Sequence, residues 1–312
     1  MTIQRPFRFT LQGSRCRSAQ EWLDLARKAE DLGYGGLGIA DHLDDQLGPL
    51  SALTAAALVT DRLLLGAMVF CNDLRHPAVL AKELATLDQL SDGRLRVSLG
   101  AGWMTEDYAW SGIPLDRPGV RIERLAEAIT VLRGLFADGA FSFHGNHYDI
   151  EGLDGQPKPH QRPHPPIILG GGGRRMLTLA AREADVVALN VALPTGVIDA
   201  RVGPDATAEA TDRKLSWIRD AAGSRFDDLI IQTRIHVGAI TDDRGALAEV
   251  IGQGLGLSAE ASLRSPFALA GDVEQVIDLL QERRERWHIS EVGLSSSVAD
   301  DFAPVVARLA GT

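Results

Sequence analysis

The feature that most constrains this chain is a rhythm: short apolar runs alternate with amphipathic helical stretches eight times over. The runs are Phe7–Gly13, Gly35–Asp41, Leu63–Cys71, Leu95–Gly100, Ile167–Gly170, Asp185–Asn190, Leu229–Gly238 and Glu291–Ser296. Several, such as LLLGAMVF and PPIILG, are apolar throughout, as strands covered on both faces of a parallel sheet must be. Between them apolar residues recur at helical spacing: Trp22, Leu25, Ala29 and Leu32; Leu80, Leu84, Leu87 and Leu90; Ile122, Leu125, Ile129, Leu132 and Phe136; Val273, Val276, Ile277 and Leu280. Pro77 stands where a helix begins, and Gly93 closes the same helix. Eight such units predict an α/β fold, either a (β/α)8 TIM barrel or a large doubly wound sheet.

Three segments break the rhythm. Residues 138–165 contain FSFHGNHYDI, two alternating runs around Gly145-Asn146 that predict a β-hairpin, then the proline-rich connector QPKPHQRPHPP. Residues 191–228 and 239–270 are long connections with helical content at Ala208–Ala222 and Ala246–Leu257. They follow the fourth, sixth and seventh strands, which in a barrel is the C-terminal face where sites are built. At 312 residues a length prior suggests two domains. A barrel with insertions accounts for the same length as a single domain, 1–312.

Charge and composition exclude several functions. With 32 Lys+Arg against 42 Asp+Glu the net charge is −10, which disfavours nucleic-acid binding. At 45% hydrophobic and 24% charged residues the chain can bury a core. Two cysteines, Cys16 and Cys71, cannot form a disulfide framework. MTIQRPFRFT carries no charged-then-apolar leader, and no apolar run approaches the ~18 residues of a membrane span, so a cytoplasmic protein is expected.

Four consecutive glycines, Gly170, Gly171, Gly172 and Gly173, end the fifth strand and open a helix beginning Arg174-Arg175. Backbone N–H groups there can approach an anion, and the helix dipole favours it, so a cofactor phosphate fits. A tight turn with solvent-facing arginines is the competing explanation. A Rossmann G-x-G-x-x-G fails at this run and at Gly100-Ala101-Gly102. Asp41-His42 follows the second strand, where a carboxylate and an imidazole can hold a ring or move a proton, or merely cap the next segment. Trp103, Glu106 and Asp107 follow the fourth strand, and an acid there can orient substrate or donate a proton. Gln232, Arg234 and His236 alternate along the seventh strand, lining the mouth or pairing with acids. The histidines lack metal-ligand spacing and no G-x-S-x-G elbow exists, so neither a metal site nor a serine nucleophile is expected.

Three stretches carry a family resemblance: GYGGLGIADH at 33–42, HPAVLAKELATLDQLSDGRLRVSLGAGW at 76–103 and PPIILGGGGRRMLTLAAREADVV at 165–187. In them the chain resembles the bacterial luciferase-like superfamily of flavin-dependent monooxygenases and coenzyme F-420-dependent oxidoreductases. The resemblance implies a TIM barrel with insertions and a flavin-like ring at its C-terminal mouth. It implies cofactor contacts at Asp41, Phe70, Cys71, Asn72, Gly100, Gly102, Gly170–Gly173 and Arg174, with His42 and Glu106 as the catalytic pair. It also implies a non-proline cis peptide near Phe70-Cys71-Asn72. Coenzyme F-420 is preferred over FMN on the LSDGR–GAGW stretch and the double arginine. A small organic substrate, a homodimer, or a separate flavin reductase if FMN serves, complete the expectation; an FMN-dependent monooxygenase using reduced flavin and O2 is the alternative, and a non-catalytic barrel relative the second.

Overall fold

A computed structural model describes residues 5–13, 16, 18–193, 196 and 199–312. Parts of the first strand–helix turn and of the connection that starts at 191 therefore lie outside the described residues. The strands are β1 (Arg8–Gly13), β2 (Gly36–Ile39), β3 (Leu64–Ala67), β4 (Phe70–Cys71), β5 (Val97–Gly100), β6 (Ala140–His144), β7 (Asp149–Asp154), β8 (Ile167–Gly171), β9 (Val186–Leu189), β10 (Ile230–Arg234), β11 (Val237–Ile240), β12 (Ala268–Gly271) and β13 (Ile289–Ser295). The helices are α1 (Ala19–Asp31), α2 (Pro49–Ala57), α3 (Pro77–Leu90), α4 (Thr105–Ser111), α5 (Pro118–Phe136), α6 (Arg174–Glu183), α7 (Ala208–Ala222), α8 (Arg244–Leu255), α9 (Ala259–Arg264), α10 (Val273–Trp287) and α11 (Ala299–Leu309).

Nine strands share one sheet in the order β3-β2-β1-β13-β10-β9-β8-β5-β4. β3 and β4 are two pieces of the single strand predicted at 63–71, so both ends of that order are the same stretch of chain. A parallel bridge between Leu65 and Leu95 joins β3 to the chain entering β5. The eight predicted strands thus follow one another in chain order around a closed circuit, the arrangement of a (β/α)8 barrel.

The interruption between β3 and β4 holds a cis peptide between Met68 and Val69. The resemblance placed such a bond near Phe70-Cys71-Asn72; it lies just upstream, and Phe70–Cys71 pair as ordinary strand with Leu99–Gly100. The predicted seventh strand also divides. Ile235 N–H still bonds Gly293 O in the main sheet, but His236 N–H turns to Phe267 O, and β11 then pairs with β12 in a separate two-stranded sheet. β12 (ALAG) overlaps the end of the insertion at 239–270 and carries too little apolar contrast to be read as a strand.

By contacts the chain divides into two compact units. In Gly13–Arg27 with Gly38–Ile168, α3 buries Leu80, Leu84 and Leu87, the apolar stripe read from the sequence. His76 caps its N-terminus by accepting from Ala78 N–H, and Pro77 opens the first turn. The hairpin forms as predicted, with Phe143 opposite Ile150 and Gly145 N–H bonded to Tyr148 O. In Met1–Gln12 with Lys28–Leu37 and Leu169–Thr312, β1 runs parallel to β13, and α10 starts in a capping box between Asp272 and Gln275.

Candidate active site

Asp41 and His42 leave β2 together but face different partners. Asp41 is buried, and its carboxylate accepts both Arg75 Nη groups, at 2.9 Å to Oδ1 and 2.5 Å to Oδ2. Cys71 N–H donates to the same Oδ2 at 3.0 Å. This bidentate ion pair ties the end of β2 to the segment 70–75, and the Arg75 guanidinium lies 5.8 Å from the Phe70 ring. Asp41 is therefore a brace for the segment carrying Phe70, Cys71 and Asn72.

His42 Nδ1 lies 2.7 Å from Asp107 Oδ2, while Asp107 Oδ1 accepts Leu43 N–H at 2.9 Å. Asp107 is buried; His42 is half-buried with Trp103 edge-on at 5.4 Å. A buried carboxylate at Nδ1 makes that nitrogen the N–H donor, which leaves Nε2 carrying the lone pair. Glu106, the acid expected beside His42, is exposed on the other face of α4, where it accepts from Thr105 Oγ1. Helical spacing explains the exchange. Asp107 and Tyr108 lie on the inward face of this seven-residue helix, whereas Glu106 shares the outward face with Trp110.

Behind this pair lies a second cluster. Tyr108 Oη donates to Asp73 Oδ2 at 3.0 Å and sits 3.8 Å from Cys71 Sγ. Asp73 also pairs with Arg124 at 2.9 Å. Burial pushes the Cys71 thiol up to about 11, so it is protonated near neutrality and inert as a nucleophile. Gly102 has φ +79°, and a Cβ there would lie 1.9 Å from Tyr108 Oη, so only glycine fits. Arg121 bonds the carbonyls of Ala101 and Gly102. A Cβ on Gly100 would strike Val69 at 2.5 Å. Asn72, also buried, donates to Tyr148 Oη of the hairpin turn at 3.1 Å.

The glycine run belongs to the other unit. β8 ends at Gly171, and α6 starts at Arg174 with Gly173 as N-cap and no side chain capping it. A Cβ on Gly172 would lie 2.2 Å from Ala192 N, and one on Gly171 would lie 2.5 Å from Met176 Cγ. One on Gly170 would make ordinary contact with Ala188. Packing alone thus demands Gly171 and Gly172. Gly173 is different, since nothing lies within 4 Å of its would-be Cβ, and Arg174 beside it is exposed. The open, uncapped N-terminus with an adjacent guanidinium is the part of the run that suits a phosphate.

Lys214 and Asp205, unread in the sequence, meet His236 of the seventh strand around Asn190. Lys214, wholly buried, donates to Asn190 O at 2.8 Å, Asp205 O at 2.9 Å and Asp205 Oδ2 at 2.7 Å. Desolvation lowers its pKa. Asn190 Oδ1 accepts from Val191 N–H and from His236 Nε2, at 2.8 and 2.9 Å. Burial, then the nearby Arg234, hold His236 neutral, its pKa down to about 4. Gln232 donates to buried Glu291 at 2.6 Å and is structural. Backbone carbonyls as the chief partners of Lys214 leave no sequence signal.

The parallel strand circuit with its covering helices defines an α/β-barrel protein. Residues 3–226 match the family model described as luciferase-like monooxygenase, and the chain belongs to that family. It is 36% identical over 153 residues to an FMNH2-dependent dimethylsulfone monooxygenase of Pseudomonas putida, covering 49% of this chain and 40% of that protein. It is 29% identical over 194 residues to an F-420-dependent glucose-6-phosphate dehydrogenase of Microbacterium testaceum, covering 59% and 56%. The chain spans about half the length of the curated relatives it matches. Solved structures share the fold: the coenzyme F-420-dependent tetrahydromethanopterin reductase of Methanopyrus kandleri (TM-score 0.77, 18% identity, 96% of each chain) and a long-chain alkane monooxygenase (0.78, 17%, 98% and 92%). No helix among the described residues is long and apolar enough to cross a membrane.

Proposed function

We propose that this protein is a coenzyme F-420-dependent oxidoreductase acting on a small organic substrate. The observation that carries the reading is the His42–Asp107 pair. Oxidation of a C–H bond beside a hydroxyl needs a base for the hydroxyl proton as the hydride departs, and Nε2 of an aspartate-held imidazole is such a base. When bound, the deazaflavin supplies two-electron hydride exchange and little reaction with oxygen. The protein's residues do the remaining work. His42 Nε2 takes or returns the substrate proton, and Asp107 fixes the tautomer and stabilises the imidazolium. Asp41 and Arg75 brace the segment 70–75, which supports the ring. Gly173, the first N–H groups of α6 and Arg174 hold the cofactor phosphate. Substrate contacts come from the insertions, and the working assembly is a homodimer.

The FMNH2-dependent relative favours a second reading, an FMN-dependent monooxygenase supplied by a separate reductase. In either reading His42→Ala lowers turnover by about 10²–10⁴-fold with the melting temperature little changed. Asp107→Asn falls between that variant and wild type in turnover. Unchanged turnover of His42→Ala with cofactor bound assigns His42 to structure and removes the basis of this mechanism.

A further inference from the structure

We propose that the C-terminal ends of β1, β10 and β13 form a socket for the carboxylate of an organic substrate, with Arg234 as its cation. Parallel registers align Thr10 with Gly293 and Gly293 with Arg234, so these three positions form one row across adjacent strands. Gln12 stands one pleat above, opposite Ser295. The row below is Arg8, Glu291 and Gln232, whose charge is balanced: Glu291 meets Arg8 at 3.4 Å and Gln232 at 2.6 Å. The upper row has no such balance. Thr10 Oγ1, Gln12 Oε1 and Arg234 Nε are buried with no hydrogen-bond partner among the described residues. Thr10 and Gln12 are only 7% and 6% exposed. The residues outside the described set include neither Asp nor Glu, so they supply no acid for Arg234.

Desolvated polar atoms without a partner are unfavourable, and a ligand that meets the Arg234 Nε–H relieves that cost, while Arg234 as a whole is half-buried. Desolvation alone, with no carboxylate acting on it, lowers the Arg234 pKa. Gly293 contributes no side chain between Thr10 and Arg234. The fork of an arginine matches a planar carboxylate, and a threonine hydroxyl supplies a further donor. All three strands present their C-terminal ends, where sheets of this class bind ligands.

Assignment of the carboxylate to the substrate rests on the proposed function, whereas the socket itself does not. The test is a titration of ¹⁵N-labelled full-length protein with sodium benzoate, read at the Arg234 Nε–H resonance, with benzamide as the neutral counterpart and sodium chloride as the salt control. The resonance is assigned by its loss in Arg234→Lys. The expected result is a saturable shift with benzoate and none with either control. Arg234→Gln then weakens benzoate by about tenfold or more while cofactor affinity stays within about twofold. An absent or non-saturable shift, or an equal one with benzamide, overturns the socket. An equal loss of cofactor affinity in Arg234→Gln overturns the substrate assignment, because the anion is then the cofactor's. Should Arg234→Gln fail to fold, the wild-type titration still decides the socket and Arg234→Lys takes its place in the cofactor comparison. A protein that binds neither flavin nor deazaflavin but still shows the benzoate shift sinks the proposed function and leaves the socket standing.

Discussion

Glu106 and Asp107 are adjacent carboxylates with opposite surroundings, and one residue of helical rotation separates solvent from the imidazole. The adjacency of Asp41 and His42 after an apolar strand marks both positions in the sequence, but not that Asp41 turns to Arg75 and Cys71 while His42 turns to Asp107. Which acid faces His42 was not legible, because α4 is too short for its period to stand out, although Tyr108 marks the inward face. The LSDGR stretch, part of the longest match to the family, is structural in this molecule. Asp92 and Gly93 take positive φ, and Arg94 bonds the carbonyls of Ala57 and Leu63. Likewise the glycine run mixes two reasons for glycine. Gly172→Ala forces a Cβ onto backbone atoms and is expected to cost about 2–3 kcal/mol. Gly173→Ala, at φ −83° and ψ 147° with open space, is expected to change stability by less than about 0.5 kcal/mol. It weakens cofactor binding by about tenfold. Chemical denaturation and a cofactor titration check both; equal destabilisation by the two variants contradicts the distinction.

Elements were legible wherever local pattern and tertiary role agree. All eight barrel strands and α7 at Ala208–Ala222 appear where the apolar periods put them. The third and seventh strands divide for reasons that lie elsewhere in the chain: the cis peptide at Met68-Val69, and the competing partner at Phe267 for His236 N–H. The hairpin was legible from Gly145-Asn146, but its anchor was not. Glu127 on α5 accepts Asn146 and His147 N–H at 2.8 Å and Tyr148 N–H at 3.2 Å. Three backbone donors leave no trace in the sequence of the acid that serves them. Burial raises the Glu127 pKa, but the three donors outweigh it and the net shift is downward. A carboxylate with a lowered folded pKa contributes stability above its unfolded value, and loses it as pH falls through the folded one. Glu127→Ala is therefore expected to cost about 1 kcal/mol at pH 7, with faster amide exchange at 146–148. The difference from wild type narrows as pH falls below the ordinary glutamate range and through the lowered folded pKa. A pH-independent difference contradicts this account.

At the scale of the whole molecule, eight strand–helix units and their connections make up the described residues of the 312-residue chain. The family is readable in the chain because its long motifs build the barrel. The identity of the ring is not, because the chain is similar both to a relative named as F-420-dependent and to one named as FMNH2-dependent. One comparison decides it: parallel anaerobic titrations of the purified protein with coenzyme F-420 and with FMN, each followed by fluorescence. The account predicts a micromolar or tighter dissociation constant for the deazaflavin and binding of FMN weaker by about a hundredfold. Tight binding of FMN with no binding of the deazaflavin contradicts it.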